Sequence, residues 1–253
     1  MRNKTDSMWE RWGRSDAYYG VISSERFHTR NLPKTKEAFL QTGEHHIAGV
    51  LEAMEQRFGA LERRSALDFG CGVGRLLLPL SRVFDRVDGV DVSPSMLKEA
   101  GVNLSERGIN NVELLGSDDR LTSIHDHTYD LVHAHIVFQH IPKRRGYALI
   151  DTLLSHVGPK GCFYIYVPIK RMASPIKIAA HSIKHHVPFA YIVFNLLDRK
   201  RPLTPTMQMN HYDFGTLLLL FKKHGFETVV SRTDIQNVRT GSSVSVGIFS
   251  RRP

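Results

Sequence analysis

Cysteine is scarce: Cys71 and Cys162 are the two in a chain of 253 residues. Two thiols build no disulfide framework, so the fold must rest on a buried core, and the expected compartment is reducing and cytoplasmic. A leading apolar run is missing too. The first residues, MRNKTDSMWERWGR, are charged and polar, unlike a secretory signal. The longest apolar run near the end, Val187 to Leu197, is shorter than the ~20 residues of a membrane span. Internal repeats and low-complexity tracts are lacking. Acidic residues are outnumbered, 25 against 34 Lys and Arg, for a formal charge of +9. The imbalance is local: Lys160, Lys170, Arg171, Lys177, Lys184, Arg199, Lys200 and Arg201 face Asp198 alone between 160 and 201. Such a stretch admits an acidic partner, whether nucleic acid, an anionic membrane surface or a phosphorylated substrate, without choosing among them.

What is present is an apolar share of 42%, enough for a sizeable core. The length suits one α/β domain with additions rather than the ~150 residues of a bare domain. The chain is organised around ALDFGCGVGR, residues 66–75. Ala66 to Phe69 reads as the end of a buried strand, Gly70 to Gly74 as a glycine-alternating turn, and Arg75 to Leu80 as the opening of a helix. Glycine at alternate positions allows positive φ and lets a ligand lie against the main chain. The spacing is G-x-G-x-G, not the G-x-G-x-x-G of the dinucleotide fingerprint. A purely structural tight turn is the competing reading. The next strand end opposes it. Val87 to Val92 (VDGVDV) places Asp91 about 20 residues on, where a carboxylate can accept two ribose hydroxyls. Ser93 then supplies an N-cap and Pro94 a first helical residue.

LDFGCGVGR and VDGVDVSPSML resemble the first and second motifs of the class I S-adenosylmethionine-dependent methyltransferases. The resemblance covers about 65–168 well and the C-terminal stretch more loosely. It implies an α/β fold, a Rossmann-like doubly wound sheet of seven strands closing in a C-terminal antiparallel hairpin. It also implies S-adenosyl-L-methionine over the glycine turn, so Asp68, Gly70, Cys71, Gly72 and Gly74 become cofactor-site candidates. Asp91 would hold the ribose, and Val92 or Met96 would pack near the adenine. Ser117 and Asp118, after the third strand (Val112 to Leu115), are candidates for the adenine amino group, with Asp118 favoured over Asp119. His135 joins the set at the end of the fourth strand.

Around this core, residues 1–60 read as an N-terminal helical segment, a lid or a peripheral piece pinned by Trp9, Trp12, Tyr18, Tyr19 and Phe27. Lys34 to Gln41 reads as a short helix broken by Gly43, and Glu44 to Phe58 as an amphipathic one. Thr42, Gly43 and Glu44 are candidate cofactor contacts by resemblance. The remainder, 61–253, is the methyltransferase-like domain, with a helical cap insertion at about 170–205. Tyr129 to Phe138 is the fourth strand with its exit, and Arg145 to His156 a helix. Gly158 to Gly161 reads as a turn and Cys162 to Val167 as the fifth strand. Phe214 to His224 is a helix stopped by Gly225, before strands at 226–232 and 243–250.

His133 and His135 share a strand face, but no third ligand at metal spacing accompanies them, so no metal is expected. His140, past the strand's carboxyl end, is the catalytic candidate. An imidazole titrating near neutrality can take a proton from a hydroxyl, and pinning the loop is its alternative role. No N-P-P-Y or D-P-P-Y run follows the fourth strand, and no P-C pair supplies a cysteine nucleophile, which disfavours nucleic-acid acceptors. The expected substrate is a small-molecule hydroxyl (sugar, lipid-linked, polyketide-like or phenolic). An RNA-binding methyltransferase using the basic 160–201 face and a non-enzymatic interaction protein are the alternatives. The apolar block beside the basic residues also suggests peripheral contact with an anionic membrane.

Overall fold

The computed structural model describes residues 4–174, 176, 180, 183, 190–197, 204–226, 228–238 and 241–253. One sheet of seven strands organises them, in the order β3-β2-β1-β4-β5-β7-β6. The strands are β1 Ser65–Phe69, β2 Arg86–Asp91, β3 Val112–Gly116, β4 Tyr129–His135, β5 Val157–Met172, β6 Thr228–Val238 and β7 Gly241–Arg251. β3, β2, β1, β4 and β5 are parallel neighbours, and β7 pairs antiparallel with both β5 and β6. This is the expected seven-stranded sheet with its closing hairpin. The order reverses between β1 and β4, and that switch point opens a crevice at the strands' carboxyl ends.

The helices among the described residues are α1 Lys4–Ser15, α2 Ala17–Val21, α3 Leu32–Phe58, α4 Leu77–Ser81, α5 Pro94–Ser105, α6 Lys143–Ser155, α7 Ala190–Leu197 and α8 Phe214–Lys223. None is long and apolar enough to cross a membrane. Because both sheet faces are covered, the central strands read as near-continuous apolar runs. Phe39, Ile47 and Met54 of α3 pack with Ala66 and Leu131 in one core. Leu149 and Leu153 of α6 and Phe221 of α8 pack with Leu67 and Phe163 in the other. Ser93 caps α5 as its sequence position predicts, its hydroxyl accepting from Met96 N–H, and Asp213 caps α8 through Thr216 N–H.

Two expectations are corrected. Gly43 does not break a helix: α3 runs unbroken from Leu32 to Phe58. It is a contact glycine, since a Cβ there would lie 2.2 Å from the carbonyl oxygen of Arg75. The predicted turn at 158–161 lies inside β5, where Lys160 takes φ of 60° beside a register irregularity between Tyr129 and Leu131 on β4. Lys170 and Arg171 belong to β5, which runs to Met172. Further on, α7 is held by Asn195, whose Nδ2 donates to the Thr204 carbonyl. Lys177, His181, Lys184, His185, His186, Phe189, Arg199, Lys200 and Arg201, singled out in the sequence, lie outside the described residues.

Two glycines in α3 give a paired test. A Cβ at Gly49 meets nothing within 4 Å. Gly49→Ala should therefore stabilise by up to ~1 kcal/mol through helix propensity. Gly43→Ala should cost roughly 1–3 kcal/mol by overpacking against Arg75. Denaturant unfolding of both variants checks the opposite signs.

Candidate functional site

At the end of β1 the chain turns through Gly70, Gly72 and Gly74, all with positive φ, at 77°, 54° and 81°. The amides of Gly70 and Cys71 donate to the Val90 carbonyl on β2, drawing the turn against that strand. A Cβ on Gly70 would run into Val137, and one on Gly72 would lie 2.8 Å from a Val21 methyl. Only glycine leaves this cradle open. Gly74 differs: it faces Ala100 of α5, with 3.2 Å from a built Cβ to Ala100 Cβ, so it serves helix packing and does not line the crevice.

Asp91 closes the turn. Its Oδ2 accepts from Gly72 N–H at 2.9 Å and its Oδ1 from Ser93 N–H at 2.8 Å. Burial, the dominant effect, pushes its pKa up to about 6 against the pull of those amides. A carboxylate this buried gains from further hydroxyl donors on its remaining lone pairs. Gly70, Cys71, Gly72, Asp91, Val92, Met96, Ser117, His135 and His140 all line one crevice. Asp118 does not. Its carboxylate accepts from the amides of Arg120 and Thr122 and from the Thr122 hydroxyl, so it caps the following turn, and only Ser117 faces the cleft. Asp68 is also absent from the lining, being buried and bonded through Oδ1 to His133 Nδ1 at 2.8 Å.

Helix α1 covers the crevice, contributing Thr5, Asp6 and Trp9 to its lining. It is fastened at two points. Glu10 accepts from Ser93 Oγ at 2.8 Å, Ser95 Oγ at 2.8 Å and Ser95 N–H at 3.1 Å, at the start of α5. Arg145 of α6 bridges Asp6 and Asp119. Arg75 is buried on the cleft wall; its Nη1 donates to Thr42 Oγ1, while its Nε finds no partner. That buried cationic group pairs the cradle with a place for an anion.

His140 lines the cleft but does not titrate near neutrality as the sequence reading expects. Burial above all lowers its pKa to about 4, only partly offset by its bond to the Gln208 carbonyl. Nδ1–H donates to Gln208 O at 2.8 Å, and Nε2 accepts from Gln139 Nε2 at 3.1 Å. Both ring nitrogens are thus engaged, and the ring sits edge-on to Trp9. His133 and His135 meet a histidine the sequence reading passed over. His46 of α3 places Nε2 3.0 Å from His133 Nε2 and its ring 3.8 Å from that of His135. No group of three or more potential ligands among the described residues has a metal-holding arrangement.

Residues 66–161 match the family model described as a methyltransferase domain. The sheet order, the glycine turn and Asp91 carry the rest of the family's frame. Residues 66–161 carry a methyltransferase domain, and with the shared fold the matches indicate a class I S-adenosylmethionine-dependent methyltransferase. An uncharacterised RNA methyltransferase of Nostoc sp. is 30% identical over 86 residues, 34% of this chain and 19% of that protein. The aklanonic acid methyltransferase DauC of Streptomyces sp. is 35% identical over 69 residues, 26% of this chain and 31% of that protein. The chain thus spans less than a third of the length of these relatives. Magnesium protoporphyrin IX methyltransferase from Synechocystis, crystallised with bound SAM, shares the fold over 100% of this chain and 99% of its own, with TM-score 0.60 and 17% identity.

Sequence reasoning on this methyltransferase missed Thr5, Asp6, Arg75, Arg145 and His46. Arg75 directly follows the glycine turn, a position that could have flagged it. The others reach the site only through packing of α1, α3 and α6, which carries no local signature. Glu10 gives a test of the α1 clasp. Burial alone would raise its pKa, but the Ser95 amide, Arg14 and the two serine hydroxyls outweigh it and bring it from 4.5 to about 2. A carboxylate depressed on folding contributes fully above its ordinary pKa and loses that contribution as pH falls from about 4.5 towards 2. Glu10→Gln should cost roughly 1–3 kcal/mol at neutral pH and flatten the acid limb of the stability profile over that window. Unfolding across pH checks both.

Proposed function

We propose that this chain transfers a methyl group from S-adenosyl-L-methionine to a hydroxyl of a small molecule. The observation that carries the cofactor half is Asp91: a buried carboxylate with raised proton affinity, tied to the glycine cradle by the amide of Gly72. Two ribose hydroxyls would supply further donors. Gly70 and Gly72 let the ligand approach the main chain, Met96 and Val92 offer an apolar seat for the adenine, and Ser117 can meet its polar edge. Arg75, backed by Thr42, would take the carboxylate of the methionyl end. Bound there, the sulfonium supplies an electrophilic methyl. The protein's own work is alignment and exclusion of water, with α1 as the cover.

The cysteines bear on the acceptor. Methylation at carbon 5 of a pyrimidine needs a thiolate nucleophile. Burial pushes the Cys71 thiol well up and the Cys162 thiol up to about 11, and both are buried. Small-molecule hydroxyl chemistry needs neither. The aklanonic acid for which DauC is named supports that class as well. His140 fits a cleft wall that orders the 138–140 turn against the loop at Gln208.

The segment after β5 exposes Ile176, Ile183, Val193, Leu196 and Leu197. With the basic residues of 160–201, this supports peripheral contact with anionic lipid. Leu196→Glu with Leu197→Glu should abolish sedimentation with anionic liposomes while cofactor affinity stays unchanged; a double variant that still sediments removes the membrane reading.

The cofactor assignment is tested by calorimetric titration with S-adenosyl-L-methionine. Gly72→Val, with a branched side chain at φ of 54° against Val21, should abolish binding. Asp91→Ala should weaken it by roughly 1–3 kcal/mol. Unchanged affinity in both folded variants would sink the assignment.

A further inference from the structure

Three strands, β5, β7 and β6, outrun the rest of the sheet. β4 stops pairing with β5 at His135, opposite Tyr166, whereas β5 stays paired with β7 as far as Met172, opposite Ser242. At about 3.3 Å per residue this makes a ledge reaching roughly 15–20 Å past the carboxyl end of β4. At its base, one face of the ledge bounds a second cavity, of about 490 Å³, which meets the crevice at His135 and Ile136. Tyr164 and Tyr166 of β5 and Gly247 and Phe249 of β7 lie on that wall.

Arg171 stands further out on the same face. In the β5–β7 register Tyr166 is opposite Gly247, Pro168 opposite Ser245 and Arg171 opposite Ser243, and alternate residues of a strand share a face. The irregularity between Pro168 and Lys170 is what brings Arg171 into step with this row. Its Nη2 is shut off from solvent and has no hydrogen-bond partner. Burial lowers its pKa, and no carboxylate among the described residues offsets that. The guanidiniums of the crevice differ: Arg145 bridges Asp6 and Asp119, and Arg75 feels the charge of Asp68. Enclosing a guanidinium without a counter-charge is destabilising, and an oxygen anion in its fork removes that penalty.

The groups beside Arg171 are donors as well. Ser243 is buried, with its Oγ 3.3 Å from His211 Nε2. Burial first, then Arg171 and Lys143, lowers the His211 pKa to about 4, so the ring is neutral. A hydroxyl and a neutral imidazole hold two donor protons and use one on their mutual bond, which leaves one to offer. The backbone on either side fixes His211 over the ledge: Asn210 N–H donates to Gln139 O at 2.7 Å and Tyr212 N–H to Pro168 O at 2.8 Å. Two carboxylates on adjoining segments are already engaged, Asp213 by Thr216 and Asp234 by Tyr166.

We propose that Arg171, with Ser243 and His211, forms a binding site for a phosphate group on the ledge beyond the methyl-donor crevice. The guanidinium fork takes two phosphate oxygens, and the Ser243–His211 pair supplies a donor to a third. Lys143 adds a second positive charge, which suits a phosphate monoester with its nearly two negative charges better than a carboxylate with one. The phosphate belongs to a soluble phosphorylated molecule or to a lipid headgroup; the chemistry of recognition is the same.

The test titrates the full chain with phenyl phosphate by calorimetry, with S-adenosyl-L-methionine as the control ligand. The wild-type chain should bind phenyl phosphate, and Arg171→Gln should weaken that binding about tenfold or more with cofactor affinity unchanged. Lys170→Gln removes the same charge from the neighbouring, exposed residue and should weaken it by about twofold at most. Arg171→Met keeps most of the stem without the charge. Free of ligand, it should be at least as stable as the wild type, and phenyl phosphate should raise the Tm of the wild type alone. No phosphate binding by the wild type, equal losses in Arg171→Gln and Lys170→Gln, or a marked loss of stability in Arg171→Met each overturns the inference. The last would show that the guanidinium has a structural partner. Sedimentation with phosphatidic acid vesicles that phenyl phosphate competes away and Arg171→Gln abolishes supports the site with a lipid as its ligand. Phenyl phosphate binding without such sedimentation supports it with a soluble one. A wild type that binds phenyl phosphate but no cofactor overturns the methyltransferase reading and leaves this site standing.

Discussion

The carboxylate of Asp91 is the joint on which the site depends. It stands at the end of β2 and accepts from Gly72 of the glycine turn and from Ser93 at the start of α5. Ser93 in turn caps α5 and donates to Glu10, which holds α1. One chain of hydrogen bonds therefore runs from the floor of the cleft to its cover. Because each link is buried or half-buried, breaking one strands a polar group and raises the cost well beyond a single bond. On the proposed reading, ribose hydroxyls would complete the donor set of the carboxylate at its centre, coupling occupancy of the floor to seating of the cover.

The topology explains why two cavities meet at His135. The reversal of strand order between β1 and β4 parts the connections there and opens the crevice. β5 and the antiparallel β7 and β6 extend the sheet on the β4 side, and with α3 they frame the second space. β4 ends between the two, so its last residue faces both. A hairpin appended to a parallel sheet thus builds a second chamber without disturbing the first.

Legibility followed locality. The glycine turn, Asp91, the Ser93 cap and the closing hairpin were readable because neighbours in sequence carry each signal. Gly43 misled: a helix-breaking residue was kept inside α3 by the close approach of the Arg75 carbonyl, a contact across 32 positions. Asp118 misled for a related reason, since its own turn consumed the carboxylate before the cleft was reached. Asp68 was readable as an acid at a strand end but not as the partner of His133, because the register of β1 against β4 decides that pairing. A helical N-terminal segment was readable, but its seat on the crevice and the place of His46 had no local signature.

The histidines around the two cavities share one electrostatic property. His46, His135 and His140 all have lowered pKa values, in each case chiefly by burial. A protonated imidazole about 4 Å from a sulfonium would repel it by ~4 kcal/mol at the effective dielectric of a protein surface, and more where water is excluded. Arg75 is the buried cation on the cleft wall; the Asp68 charge offsets its burial in part, and a ligand carboxylate would add to that. A site that keeps its imidazoles neutral but buries one guanidinium therefore suits a zwitterionic ligand with its negative end at Arg75.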